Sequence, residues 1–260
     1  MKRTPAVSAV LAAIAVACAM PRAALPCWMF TCSPRPELTL GAIALIACVI
    51  ATGVFVHATH ITGQAHRRLM RLSGLKQSSL EELTSELSLI WPVVCVDSDE
   101  RFALCAGAIK PRIYISRGFV AASGQAELRA VLLHEAHHAR RRDPFRRAIR
   151  QGIAGTLFFV PLIRWWADRA SVADELVADQ AAIARCGVQP LARALLVAGG
   201  EWPEAHAAFR GAAAIRVRKL NGEPVTMGRP PARICVISVA GAVAITLTLT
   251  CVLAAPFLGL

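Results

Sequence analysis

The sequence predicts a mainly α membrane protein in which transmembrane helices flank a small α+β domain. Three observations lead there. Hydrophobic residues make up 55% of the 260 and charged residues only 18%, with a mean hydropathy of +0.50. Three long runs carry almost no charge, and two of them lie near opposite ends of the chain. Between the second and third runs, residues 60–232 pass from short β-prone stretches to long helical periodicities.

Such a composition excludes a disordered or collagen-like chain, which is poor in aliphatic residues or periodic in glycine. The net charge of +12 with only 6% aromatic residues fits membrane spans with basic flanks. A nucleic-acid binder carries its charge on a less apolar chain, so no direct contact with nucleic acid is expected.

The apolar runs are Thr4–Pro21, Leu38–Ala58 and Ile234–Leu260. At 1.5 Å per residue, about 20 residues cross a hydrocarbon core of about 30 Å. The second and third runs read as spans. The first fits an uncut span, the preferred reading, and also a cleavable signal peptide, given Lys2, Arg3 and the Ala17-Cys18-Ala19 stretch. Both readings put Pro21–Glu37 outside. Arg67, Arg68, Arg71 and Lys76 follow the second run, and Arg216, Arg218, Lys219, Arg229 and Arg233 precede the last. The excess of basic residues makes residues 60–232 cytoplasmic. The expected organisation is thus two N-terminal transmembrane helices (1–59), a cytoplasmic domain (60–232) and a C-terminal transmembrane helix (233–260). No pair of the nine cysteines has zinc-knuckle spacing, although Cys27 and Cys32 share the outer loop and could form a disulfide.

Within the cytoplasmic region, Ser78-Ser79-Leu80-Glu81 reads as a capping box with Ser78 as N-cap, opening a helix from Ser79 to Ile90. Pro92–Asp97, Arg101–Cys105 and Arg112–Ser116 read as strands of a small sheet. Arg112–Ser116 is either an edge strand able to align a peptide or a plain structural strand. Ser123-Gly124 opens a long helix with Leu128, Val131, Leu132 and Leu133 on its apolar side, ended by Asp143-Pro144. Two further helical stretches follow, Phe145 to about Val160 and Leu162 to about Arg185. The chain then turns Ala-rich and featureless until Asn221-Gly222 and Pro230-Pro231.

The long helix carries His134-Glu135-Ala136-His137-His138. His134 and His138 stand at i and i+4, so both imidazoles leave one helix face and can reach one ion at about 2.0–2.1 Å. Glu135 lies beside them, placed to take a proton from a water that the metal acidifies. His137 is one residue off that face and reads as a bystander. A catalytic zinc needs a third protein ligand. Glu175 is the best candidate, with Asp179 one turn later to fix a ligand histidine's tautomer. Asp174 competes with Glu175 but points elsewhere. Arg140, Arg141, Arg142, Arg146, Arg147 and Arg150 read as a surface for anionic lipid headgroups. Gln151–Ile163 is too short to span and reads as embedded at the interface or re-entrant, with Trp165 and Trp166 at headgroup depth. His206 is either an oxyanion-stabilising group or a surface histidine.

The run Ala130–Asp143 (AVLLHEAHHARRRD), then FVPLIRW at 159–165 and DELVAD at 174–179, resembles the BlaR/MecR-type integral-membrane zinc metallopeptidases. GAIKPRIYIS at 107–116 resembles the strand before their zinc helix. The likeness covers about residues 78–185, and a more distant one is to HtpX-type membrane peptidases. It implies a gluzincin-like zinc peptidase domain: His134, His138 and Glu175 on Zn2+, Glu135 as general base, Asp179 in support, and an active site facing the cytoplasm. In that family an outer β-lactam sensor activates a protease whose pathway inactivates a winged-helix repressor. The sequence ends within its last apolar run and has one span fewer before the protease, so antibiotic sensing is not expected to carry over. The expected activity is endopeptidase cleavage of a protein or peptide substrate at the cytoplasmic membrane face. Quality-control proteolysis and a non-catalytic signalling remnant stand as alternatives.

Overall fold

The computed structural model describes residues 36–70, 74–75, 77–198, 215–225 and 228–258. The expected first span at Thr4–Pro21, most of the outer loop with Cys27 and Cys32, and His206 lie outside the described residues. The described chain is mostly helical with one small sheet. Its elements are α1 (Pro36–Met70), β1 (Gly74–Leu75), α2 (Ser78–Glu86), β2 (Val93–Val96), β3 (Ala103–Ala106), β4 (Arg112–Ser116), α3 (Arg117–Ala122), α4 (Gln125–Arg141), α5 (Asp143–Thr156), α6 (Pro161–Cys186), α7 (Val188–Ala198) and α8 (Ala232–Leu258). Contacts divide it into two units, one built around residues up to Val56, Gly152–Trp165 and the chain from Arg229, the other from His57–Gln151 and Trp166–Gly228.

In the first unit, Ala44–Gln64 of α1 is the one helix among the described residues long and apolar enough to cross a membrane. α8, 27 residues from Ala232 to Leu258, carries an apolar stretch over Ala232–Thr248. Leu45 and Phe55 on α1 and Val236 and Val239 on α8 all stand exposed. Close packing is local. A Cβ on Gly241 would come 2.1 Å from the Phe159 carbonyl oxygen, and Ser238 Oγ accepts from the Leu162 N–H at 2.9 Å, satisfying one of the unpaired donors at the start of α6.

The second unit holds the sheet, in the order β1-β2-β4-β3. β2 and β4 run parallel, with Val93 opposite Ile113, and β3 and β4 antiparallel, with Ala103 opposite Ile115. The strand alternation of β4 sorts its side chains. Ile113 and Ile115 are fully buried against Leu132 and Phe119, while Tyr114 packs with Leu69, Val96 and Phe102. β4 is therefore an inner strand, and β3 takes the edge on that side. The edge-strand alternative for Arg112–Ser116 falls, because both its neighbours are paired.

Several boundaries differ from the sequence reading. Ser78 is the first helical residue and Gln77 the N-cap, without a side-chain cap bond, so the capping box does not form. The helix stops at Glu86, and Ser88 takes a left-handed φ of 51°, before Pro92 is reached. The Ala-rich stretch after Gly187 (φ 81°) forms α7, whose Leu191 and Ala194 pack into the core. α4 behaves as read, with Leu128, Leu132 and Leu133 buried. Its C-cap, Arg142, adopts φ 54°, a conformation that costs a non-glycine residue about 1–2 kcal/mol. That turn lets α5 begin at once, with Asp143 in its first turn.

Candidate metal centre

α4 and α6 bring the anticipated residues together. His134 and His138 come from successive turns of α4, Glu175 from α6, and all three are buried. His134 Nε2 and His138 Nε2 are 3.1 Å apart. Glu175 Oε2 lies 3.4 Å from His134 Nε2, and Oε1 lies 3.6 Å from His138 Nε2. Donors at 2.0–2.1 Å around a tetrahedral ion are separated by about 3.4 Å. The three distances bracket that value.

The tautomers point the same way. His138 Nδ1 is 2.8 Å from Asp143 Oδ2, and His134 Nδ1 is 3.0 Å from Asp179 Oδ1. The His138–Asp143 contact is a hydrogen bond and the His134–Asp179 contact a close approach; once the imidazoles are neutral, as metal binding requires, a proton on Nδ1 facing each carboxylate turns the Nε2 lone pair inward. Two lone pairs and a carboxylate thus converge on one point, a donor set that fits a divalent cation. His137 is buried but outside this set, with Nδ1 3.2 Å from Arg140 Nη2. Asp174 points away from it, bonded to Arg150.

Ionisation follows from these contacts. Burial opposes charge on His138, yet the contacts from Asp143 and Glu175 outweigh it and push its pKa up to about 10. Burial would raise Glu175, but the two histidines hold its carboxyl well below the usual range. Asp179 is lowered in the same way, against burial, by His134 and Arg216. Asp143 is lowered, again against burial, by His138 and the neighbouring arginines.

Three site residues were not anticipated in these roles. Asp143 is 1% exposed and serves as the partner of His138, a function hidden behind its reading as a helix stop. Arg216, from the short helix at 215–220, donates from Nε and Nη2 to Asp179 at 2.8 and 2.6 Å, and its Nη1 lies 3.3 Å from Glu175. Arg147 donates from Nη2 to Glu175 Oε1 at 2.9 Å. No local sequence signal marks Arg216, which lies 37 residues beyond Asp179. Arg147 was read with its neighbours as a lipid-facing run. Four of the six arginines in that run instead contact buried carboxylates: Arg141 and Arg146 reach Asp143 and Asp174, Arg147 reaches Glu175, and Arg150 reaches Asp174. Arg140 and Arg142 are exposed.

A cavity of about 80 Å³ opens on the centre. Glu135 lines it beside His134 and His138, β3 contributes Ala103, Leu104 and Cys105, and α7 supplies an apolar wall through Leu191 and Ala194. An acid, three potential metal donors and the outermost strand of the described sheet therefore share one small space. A family model described as BlaR1 peptidase M56 matches residues 34–197. No curated protein matches the chain.

Proposed function

The chain belongs to the BlaR1 peptidase M56 family, membrane-associated metallopeptidases, and on that premise we propose that it is a multi-pass zinc endopeptidase cutting a protein substrate at the cytoplasmic membrane face. The observation that carries this reading is the His134, His138 and Glu175 donor set at tetrahedral spacing, with Glu135 beside it. A zinc ion held there would lower the pKa of a bound water to about 7 and polarise a carbonyl. The chain's residues do the rest. Asp143 and Asp179 orient the imidazoles. Glu135 takes the proton of the attacking water and passes it to the amine nitrogen as the C–N bond breaks. β3, with one edge outside the ladder, offers backbone groups to an extended peptide.

The basic residues flanking the second and third apolar runs support a cytoplasmic site within residues 60–232, between spans at 1–59 and 233–260. Exposed Arg140 and Arg142 and the juxtamembrane basic residues are suited to anionic lipid headgroups. A winged-helix repressor is the substrate that the family suggests. The test is metal content and proteolysis by detergent-purified protein, compared with Glu135→Gln and Glu175→Ala. About one zinc per chain, kept in Glu135→Gln with cleavage lost and weakened in Glu175→Ala, is expected. Equal cleavage by wild type and Glu135→Gln would sink the mechanism. Broad cleavage of unfolded membrane proteins would favour quality control over repressor processing.

A further inference from the structure

Gln151–Ile163, across the α5–α6 turn, contains no charged side chain. Its central part packs on both apolar helices of the first unit. A Cβ on Gly53 of α1 would come 2.8 Å from Thr156 Cγ2, and one on Gly241 of α8 would come 2.1 Å from the Phe159 carbonyl oxygen. Ser238, on the same helix as Gly241, accepts from the Leu162 N–H at 2.9 Å. Glycine at both contacts lets the turn approach each helix backbone closely, as small residues do where helices pack in a bilayer.

These contacts measure depth. The second apolar run ends toward the cytoplasm at Ala58, and Gly53 lies five residues inside that end. At 1.5 Å per residue this is about 7.5 Å. The last run begins after Arg233, and Gly241 lies eight residues beyond it, about 12 Å. With both runs spanning in opposite directions, the two depths agree, and each is less than half of a core of about 30 Å. A turn resting on the membrane surface would instead meet α1 near Ala58 and α8 near Arg233.

The turn also meets a condition that hydrocarbon imposes, that backbone donors find partners within the protein. The Leu157 N–H donates to Ile153 O at 2.8 Å, that of Val160 to Leu157 O at 2.9 Å and that of Ile163 to Val160 O at 3.0 Å. Pro161 has no N–H to satisfy. Phe158 is 67% exposed between apolar neighbours, and at this depth the surrounding medium is acyl chain. Arg164 is exposed three residues after Pro161, close enough for its stem to bring the guanidinium back to the headgroups.

We propose that the α5–α6 turn is a re-entrant wedge, clasped at Gly53 and Gly241 within the cytoplasmic leaflet, with Phe158 against lipid acyl chains; the proposal rests on the spans assigned above. It gives the chain a further membrane anchor, on the two helices that carry Arg147 and Glu175.

The test uses full-length protein in vesicles of phosphatidylcholine and phosphatidylglycerol. p-Acetylphenylalanine replaces one residue at a time and carries a hydroxylamine nitroxide, so the native cysteines stay untouched. The positions are Phe158, Val239 as the reference on α8, and Ile109, 81% exposed, as the reference in water. Electron paramagnetic resonance reads collisions with oxygen, which collects in hydrocarbon, and with a nickel chelate, which stays in water. The Phe158 label should lose nickel accessibility relative to Ile109 and match Val239 in oxygen accessibility. Gly241→Leu should push the turn outward, so that nickel accessibility returns at Phe158 and stays low at Val239. Nickel access at Phe158 with Val239 protected would overturn the wedge and leave the spans standing. Nickel access at both positions would overturn the spans, and this proposal with them. Low access of both reagents at Phe158 would mean that protein, such as a second copy of the chain, covers the ring, and would overturn the lipid contact. An unchanged Phe158 label in Gly241→Leu would overturn the clasp.

Discussion

Replacing Arg216 by Met tests the electrostatic frame of the site. The substitution keeps an apolar stem of similar length and removes the cation. One guanidinium spans Glu175 and Asp179, one turn apart on α6, with contacts of 2.6, 2.8 and 3.3 Å. Both carboxylates are buried, so removing their shared partner leaves uncompensated charge. Breaking such a buried pair costs about 3–5 kcal/mol, a large share of a total of about 5–15 kcal/mol. Zinc should widen the gap. At a hundred times its Kd, zinc adds about 2.7 kcal/mol to the wild type. Arg216 fixes Asp179 beside His134, and loosening such outer support weakens metal binding about 10-fold or more. At the same zinc concentration the variant then gains only about 1.4 kcal/mol, so the difference grows by about 1.3 kcal/mol. The assay is equilibrium unfolding in mixed micelles with chelator and with zinc, together with a double-mutant cycle through Asp179→Asn. A coupling of 2 kcal/mol or more is expected from the cited range. Additive single effects, or a gap that closes when zinc is added, would refute the reasoning.

Zinc affinity should climb with pH. The raised pKa of His138 means that the folded protein holds a proton there from the unperturbed value of about 6.5 up to about 10. Its contribution to stability is thus complete below about pH 6.5 and lost as pH rises through about 10. Zinc must displace that proton, so affinity should gain about tenfold per pH unit in this window. Competition with a chromogenic chelator at pH 6.5, 7.5 and 8.5 reads the slope; a flat response contradicts the assignment. Asp143→Asn should flatten the slope and weaken zinc about 10–100-fold. Ser116→Ala should cost about 2–3 kcal/mol, since its fully buried hydroxyl both caps α3 at Phe119 N–H and accepts from Phe102 N–H. Thermal denaturation in detergent would measure this, and a shift below 1 °C would show that the hydroxyl is dispensable.

What the sequence disclosed depended on whether the signal was local. His134 and His138 share a helix face by periodicity, as do Glu175 and Asp179, and the structure keeps both pairings. The burial of Leu128 and Leu132 was legible for the same reason. Strand order was not, because nothing in Arg112–Ser116 says that β2 and β3 both pair with it. α7 was missed although Leu191, Ala194 and Ala198 recur at helical spacing, because the surrounding alanines hid that period; its burial comes from packing on α4 and α3. Asp143 was legible only as half of Asp-Pro. Its second role depends on the left-handed turn at Arg142, which brings it under His138.

The arginine run shows why charge patterns mislead when their partners are distant. Arg141, Arg146, Arg147 and Arg150 look like a solvated basic face until α6 is packed against them with Asp174 and Glu175. With Arg216, five guanidiniums contact four carboxylates, Asp143, Asp174, Glu175 and Asp179. Glu135 is a fifth acid in the same cavity. With histidine counted as neutral, five positive and five negative charges cancel, so the formal net +12 resides outside this cluster. The separation has a functional consequence. Histidines and arginines together hold Asp143, Glu175 and Asp179 below the usual carboxylate range against burial, ready to bind metal and to orient the histidines. We propose that basic charge elsewhere, including the juxtamembrane stretches and exposed Arg140 and Arg142, acts on orientation and on the lipid surface. Mutations in the two sets should therefore separate. Inner arginines should change metal affinity and stability with little effect on vesicle binding, and outer ones should do the reverse.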